Sequence, residues 1–129
     1  MSSSNLSLGL SKKIKKSDVI SKVLKQGKRK SSHPIRIHYL WESTRYRYVA
    51  SGFEVGFIAP KRIYRKAVQR NHVKRLMRES LRHNQGLIPK REGQYLQLLV
   101  VATRQDIETY EDVNQAIVNL LTNIVILSE

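Results

Sequence analysis

The spacing of apolar residues changes repeatedly along the chain and predicts alternating helices and strands. Apolar residues at positions 19, 20, 23 and 24 follow the three-and-four spacing of a helix that begins near Ser17 and stops at Gly27. Residues 28–30 are all basic, and we interpret them as a polar link. Apolar and polar side chains then alternate across residues 35–39, which predicts a half-buried strand.

A second strand is predicted over residues 46–58, after a turn at residues 42–45. Gly52 interrupts the aromatic and β-branched run of this strand and therefore predicts a bend or break there. Pro60 ends the strand, because proline cannot donate a backbone hydrogen bond to a neighbouring strand.

Helical spacing returns over residues 67–84, and the short β-branched run at residues 95–102 predicts a central strand. A last helix opens at Thr109, with Glu111 and Asp112 near its positive end. The order of elements is helix, strand, strand, helix, strand, helix. This αββαβα order predicts an α+β sandwich with three strands and one open sheet face.

Length and composition place the chain among compact folded proteins. Its 129 residues, 40% of them hydrophobic, fit one domain, which we assign to residues 17–127 after a flexible basic arm at residues 1–16. No apolar run reaches the roughly 18 residues of a membrane span, and no secretory signal is evident, so we expect a cytoplasmic protein with no membrane partner. The lack of cysteine excludes disulfides and thiol nucleophiles.

Charge narrows the choice of partner. The formal net charge is +14, and residues 1–92 hold 23 of the 24 Lys and Arg but only 5 of the 10 acidic residues. Such a field attracts polyanions, which leaves RNA, DNA and anionic membranes as candidates. The residues that bind a polyanion are therefore expected in the first two thirds of the chain.

The helix predicted at residues 67–84 carries the clearest signal. At the helical period its apolar arc is Val73, Leu76, Met77, Ser80 and Leu81. A contiguous stripe free of acids lies beside that arc and consists of Arg70, Asn71, Lys74, Arg75, Arg78 and Arg82. The preceding loop adds Lys61, Arg62, Arg65 and Lys66. A solvated helix face usually mixes charges of both signs, so a single sign rich in arginine favours binding to nucleic acid, and structured RNA is our prediction.

The same residues resemble a known family. The segment at residues 70–79, Arg-Asn-His-Val-Lys-Arg-Leu-Met-Arg-Glu, is similar to the Arg-Asn-Arg signature of the bacterial ribonuclease P protein component. Residues 55–62, Val-Gly-Phe-Ile-Ala-Pro-Lys-Arg, resemble the strand and paired basic residues of that family. The likeness extends in order from about residue 11 to residue 126.

The resemblance implies more than the pattern does. It implies a small mixed sheet with a left-handed crossover, which runs against the usual hand of such connections. It also implies a protein that binds a large catalytic RNA and holds the 5′ leader of precursor tRNA in a cleft between the first helix and the sheet. The RNA performs the endonucleolytic cleavage with Mg²⁺ that is held mainly by the RNA, so the protein alone is expected to have no catalytic residue and no metal site.

Family roles transfer by position. Arg70, Asn71, Lys74, Arg75 and Arg78 match the signature, and Lys61 and Arg62 match the paired basic site. Two positions depart from the family pattern. The third signature residue is His72 rather than arginine, and the first helix has Ile20 and Leu24 where aromatic residues are frequent. We therefore expect the leader cleft to be lined by Ile20, Leu24, Tyr39 and Phe57. Base stacking there is expected either to come from Tyr39 and Phe57 or to be weak, and core packing is the favoured alternative role for Phe57.

Other functions compete with this interpretation. A ribosomal-type structural RNA-binding protein would carry the same charge stripe but no substrate cleft. A DNA-binding helix would need a helix-turn-helix partner before residue 67, where the chain predicts strand and loop. Catalysis by the chain alone is disfavoured, because its histidines lack metal-ligand spacing and it has no glycine-rich phosphate loop. Those histidines are His33, His38, His72 and His83.

Overall fold

The computed structural model describes residues 17–45, 52–105 and 109–127. Within these residues the elements in chain order are α1 (Ser17–Gln26), β1 (Lys28–Ser32), β2 (Ile35–Ser43), β3 (Phe53–Ile58), α2 (Ala67–His83), a 3₁₀ helix (Gln85–Leu87), β4 (Gln94–Ala102) and α3 (Tyr110–Leu127). The three predicted helices are present within about two residues of their predicted bounds, as expected for boundaries inferred from periodicity.

The strands form one mixed sheet in the order β1-β2-β4-β3. β2 pairs antiparallel with both β1 and β4, whereas β3 pairs parallel with β4. Parallel neighbours require a crossover connection, and α2 supplies it between β3 and β4. This connection is the one for which the family resemblance predicts a left-handed path.

The register of the sheet separates its side chains into two faces. Tyr39 of β2, Leu98 of β4 and Val55 of β3 lie in register, so their side chains share one face. That face belongs to the main buried cluster, to which α2 contributes Met77 and α3 contributes Leu120. Residues one position along each strand face the other way.

α1 lies against this second face. Lys22 of α1 forms an ion pair with Glu42 of β2, which shares its face with His38. Val23 of α1 is buried, as is Leu99 of β4, and both lie outside the main cluster. The sheet is therefore packed by α2 and α3 on one side and approached by α1 on the other.

Two local predictions are wrong. Residues 28–30 are not a link, because Lys28–Ser32 forms an edge strand paired with β2. An edge strand has one paired side and can carry polar residues at every position, so it shows no hydrophobic alternation. The turn predicted at residues 42–45 begins later, because β2 continues through Ser43. The predicted strand segment at residues 46–51 lies outside the described residues, and Gly52 takes the positive φ of 82° expected at a bend.

The ends of the helices follow local hydrogen bonds. Asn84 closes α2, where its backbone N–H donates to the carbonyls of Ser80 and Leu81. Thr109 precedes α3, and its Oγ1 accepts a hydrogen bond of 3.3 Å from the backbone N–H of Asp112, as a helix N-cap does. None of the helices in the described ranges is long and apolar enough to cross a membrane.

The packing of α1 on the sheet predicts a steric requirement at Gly27. A Cβ atom there would lie 2.5 Å from the carbonyl oxygen of Val23 and 2.7 Å from that of Tyr39. Because both contacts are backbone atoms, Gly27→Ala should lower the free energy of unfolding by about 2 kcal/mol, measured by urea denaturation. Gly86→Ala is the control, since nothing lies within 4 Å of a Cβ built there. Equal stability of the two variants would contradict this packing.

Candidate nucleic-acid interface

α2 separates an apolar face from a basic one as the sequence predicts. Its buried residues are Val73, Leu76, Met77, Ser80 and Leu81. We call the cationic surface of α2 and its preceding loop the basic ridge. Its exposed members are Lys61, Arg62, Arg65, Lys66, Asn71, Arg75 and Arg82, and its half-buried members are Arg70, Lys74 and Arg78. All ten predicted RNA-binding residues thus retain some exposure on this one stretch of chain.

Arg70 binds the loop that precedes its own helix. Its Nη1 donates hydrogen bonds of 3.0 Å to the carbonyl oxygens of Tyr64 and Arg65. The Tyr64 hydroxyl donates to the carbonyl of Arg104, and Gln105 Nε2 donates to that of Ile63 at 3.2 Å. These contacts hold the loop and its four cations at the entry of α2. The sequence did not indicate this role, because it depends on where the loop folds.

Arg78 rests on an aromatic ring. Its guanidinium carbon lies 5.7 Å from the ring centroid of Phe57, a cation–π geometry that limits the motion of a long side chain. Its Nε is buried and has no hydrogen-bond partner among the described residues. Phe57 itself is half-buried against the main core. Phe57 therefore lies between the core and Arg78 and helps to fix the position of this arginine in the basic ridge.

Few acids oppose the charge of the ridge. The first turn of α2 contains no acidic residue, so the positive end of the helix dipole adds to the side-chain cations. An ion pair joins Lys22 to Glu42, on the opposite face of the sheet. Arg75 Nη2 lies 3.4 Å from His72 Nδ1, which places the imidazole beside the ridge rather than in the core. The ridge is thus suited to phosphates.

A second surface lies between α1 and the sheet. Leu24 of α1 is 43% exposed, and Ile20 lies one turn before it and is half-buried. On the sheet face toward α1, Arg36 Nε donates a hydrogen bond of 3.0 Å to His38 Nε2. Burial lowers the pKa of His38, and the positive charges of Arg36 and Arg29 lower this pKa further. The neutral form of the His38 imidazole is therefore favoured next to Arg36.

The same face carries a buried polar pair. Gln97 Nε2 donates to Glu54 Oε1 at 3.3 Å, and each residue is 4% exposed. Both lie in register with Leu40 of β2, which places them on the face that α1 approaches. The sequence pattern did not single out this pair, because β4 is apolar around Gln97 and has the pattern of a continuous core strand.

The predicted leader cleft requires a correction. Tyr39 is 3% exposed and belongs to the core face with Phe57, whereas Ile20 and Leu24 lie on α1, which approaches the other face. The four residues cannot line one cleft, and the prediction that the rings of Tyr39 and Phe57 stack bases there is wrong. His38 is the residue before Tyr39 in β2, so its side chain points to the sheet face that α1 approaches. Strand alternation was the signal that could have identified it.

The described residues bring together no group of three His, Cys, Asp or Glu side chains placed to hold a metal ion.

Comparison with known proteins gives the family. The model of the ribonuclease P family matches residues 8–125, which is nearly the whole chain of 129 residues. The chain belongs to the ribonuclease P protein family. As a member of this family it is a protein subunit of the ribonuclease that processes the 5′ end of tRNA. The family assignment decides against the alternative of a ribosomal-type structural protein.

Solved structures of the ribonuclease P protein share the fold. The protein of Staphylococcus aureus has a TM-score of 0.66 and 20% identity, over 88% of this chain and 94% of that one. The protein from Thermotoga maritima has a TM-score of 0.68 and 21% identity, over 87% of this chain and 96% of that one. At these identities the likeness establishes the α+β fold with its mixed sheet. No curated protein sequence matches the chain.

The environment of His38 predicts a pH dependence of stability. Because the folded-state pKa of His38 lies below the ordinary histidine value of 6.5, the unfolded chain binds this proton more readily. The stabilisation is present above pH 6.5 and is lost as the pH falls toward the lowered folded-state value. The free energy of unfolding should therefore fall less between about pH 7.5 and about pH 5 in His38→Gln than in the unmodified protein.

Urea denaturation at each pH provides the measurement, and His33→Gln, at the exposed turn between β1 and β2, is the control. The control should keep the pH dependence of the unmodified protein. If His38→Gln keeps it as well, burial of a neutral imidazole at residue 38 is not the cause.

Proposed function

We propose that the two surfaces of this ribonuclease P subunit bind two different RNAs. The basic ridge on α2 and its preceding loop binds the catalytic RNA. The cleft between α1 and the sheet, with Ile20, Leu24 and His38, holds the 5′ leader of precursor tRNA. The observation that carries the proposal is that α2, which bears the ridge, and α1 pack against opposite faces of one sheet.

The ridge is suited to a folded RNA because its side chains are partly ordered before binding. Arg70 is fixed by two backbone carbonyls and Arg78 by the ring of Phe57. Binding then orders fewer flexible side chains and costs less conformational entropy. Neutralised phosphates repel each other less, so the assembly tolerates lower concentrations of magnesium.

In this proposal the RNA holds the Mg²⁺ and cuts the phosphodiester bond, in the cytoplasm. The residues of the chain bind and position the two RNAs and transfer no proton. The leader cleft is weakly aromatic: on the sheet face toward α1, His38 and Tyr95 are only 6% and 4% exposed, while Ile20 and Leu24 supply apolar contacts from α1. We therefore expect the cleft to bind the leader with modest affinity and little dependence on its sequence.

Cleavage of precursor tRNA by the cognate catalytic RNA at limiting magnesium tests the proposal. The protein should accelerate cleavage, and the gain should be larger for a long 5′ leader than for a leader of one or two nucleotides. Leu24→Ser removes an exposed apolar contact and should reduce the gain for long leaders by about threefold while keeping the gain for short ones. Leu87→Ser, which alters an exposed leucine in the 3₁₀ helix, is the matched control.

The outcomes separate the parts of the proposal. Acceleration that does not depend on leader length would retain the ridge and reject the cleft. No acceleration of either substrate would reject the assembly with the catalytic RNA.

A further inference from the structure

Val68 is an apolar side chain that the fold leaves in solvent. It is the second residue of α2 and is 79% exposed, compared with 43% for Leu24 and 37% for Leu87. Single exposed apolar residues are common on protein surfaces, so exposure alone indicates no function. The surroundings of Val68 distinguish it.

Val68 lies in a depression within the basic ridge. The other residues that line this depression are Asn71, His72, Lys74, Arg75 and Arg78. The lining therefore combines one apolar side chain with three cations, an amide and an imidazole, and it contains no carboxylate. Arg75 Nη2 lies 3.4 Å from His72 Nδ1, which brings these two side chains together within the lining.

Folding of the chain gains little from valine at this position. A β-branched side chain is a weaker helix former than alanine, the residue that immediately precedes it in α2. Because Val68 is largely exposed, it also buries little apolar area in the free protein. A contact that Val68 makes only in the complex with RNA would explain an apolar side chain at this position.

The chemistry of the lining defines the ligand. Three cations attract phosphates, while an apolar side chain in the same lining attracts a flat apolar surface, and a nucleotide has both. We propose that Val68 contacts the face of an unstacked base of the catalytic RNA, while Lys74, Arg75 and Arg78 bind the phosphates beside it. This inference rests on the proposed function and adds a contact with a base to those with phosphates.

The proposal separates two energetic contributions. Binding of phosphates by cations releases counterions and depends on salt, and the slope of the log–log plot changes by about 0.7 to 0.9 for each phosphate that is no longer neutralised. An apolar interaction with a base releases no counterion, so removing it lowers affinity equally at every salt concentration. Asn71 and His72 line the same depression and present polar groups to the edge of the base.

The test measures binding of the full chain to its cognate catalytic RNA over a range of potassium chloride concentrations. Val68→Ser should weaken binding by about three- to tenfold with an unchanged salt slope, because it removes apolar surface and no charge. Val68→Ile should keep the affinity of the unmodified protein. Arg75→Ala should weaken binding and also flatten the salt dependence by about one unit.

Leu87→Ser is the control for replacing an exposed apolar residue and should bind as the unmodified protein does. Circular dichroism should show that every variant is folded, as expected for substitutions at exposed side chains. A photo-crosslinking residue at position 68 should attach to one base of the catalytic RNA, mapped by primer extension.

The outcomes distinguish this inference from the proposed function. If Arg75→Ala weakens binding but Val68→Ser does not, the ridge binds RNA without the base contact, and the inference is overturned. A weakening in Val68→Ser that disappears at high salt would also overturn it, since the interaction would then be electrostatic. If neither variant weakens binding, the ridge is not the RNA surface and the proposed function itself fails.

Discussion

The pairing of β2 with β4 fixes which side chains reach each face of the sheet, and both proposed RNA surfaces depend on it. Tyr39 opposite Leu98 belongs to the core beneath α2 and α3, whereas His38 opposite Leu99 faces α1. A shift of one residue would exchange these two sets. The core would then receive an imidazole and an arginine, and the side of α1 would receive the apolar residues that hold α2 in place.

The ridge concentrates like charges on one helix, and such charges repel each other. The apolar face of α2 offsets this cost, since its four buried apolar residues pack into the main core. Interactions of the cations with uncharged groups also contribute. Arg70 bonds to two carbonyls and Arg78 lies over the ring of Phe57, and neither interaction neutralises the positive charge. The phosphates of an RNA can therefore complete the charge balance on binding.

Local periodicity predicted much of the fold and of the ridge. The spacing of apolar residues in α2 identified its buried arc, including Ser80, because residues three and four positions apart lie on the same face of a helix. Edge strand β1 was missed since its polar residues carry no alternation. Tyr39 was assigned to the cleft because its ring suggested base stacking, although alternation places His38 there. The hydrogen bonds of Arg70 and the surroundings of Val68 require the tertiary structure.

Directed hydroxyl-radical cleavage tests most directly whether the two surfaces contact different RNAs. The chain has no cysteine, so a single introduced thiol can carry an iron chelate at one known position. Ser21→Cys on α1 and Ala67→Cys at the start of α2 both alter exposed positions. In the complex with catalytic RNA and precursor tRNA, the probe at residue 21 should cut the 5′ leader and the probe at residue 67 the catalytic RNA. Cleavage of the same RNA segment from both positions would contradict the account.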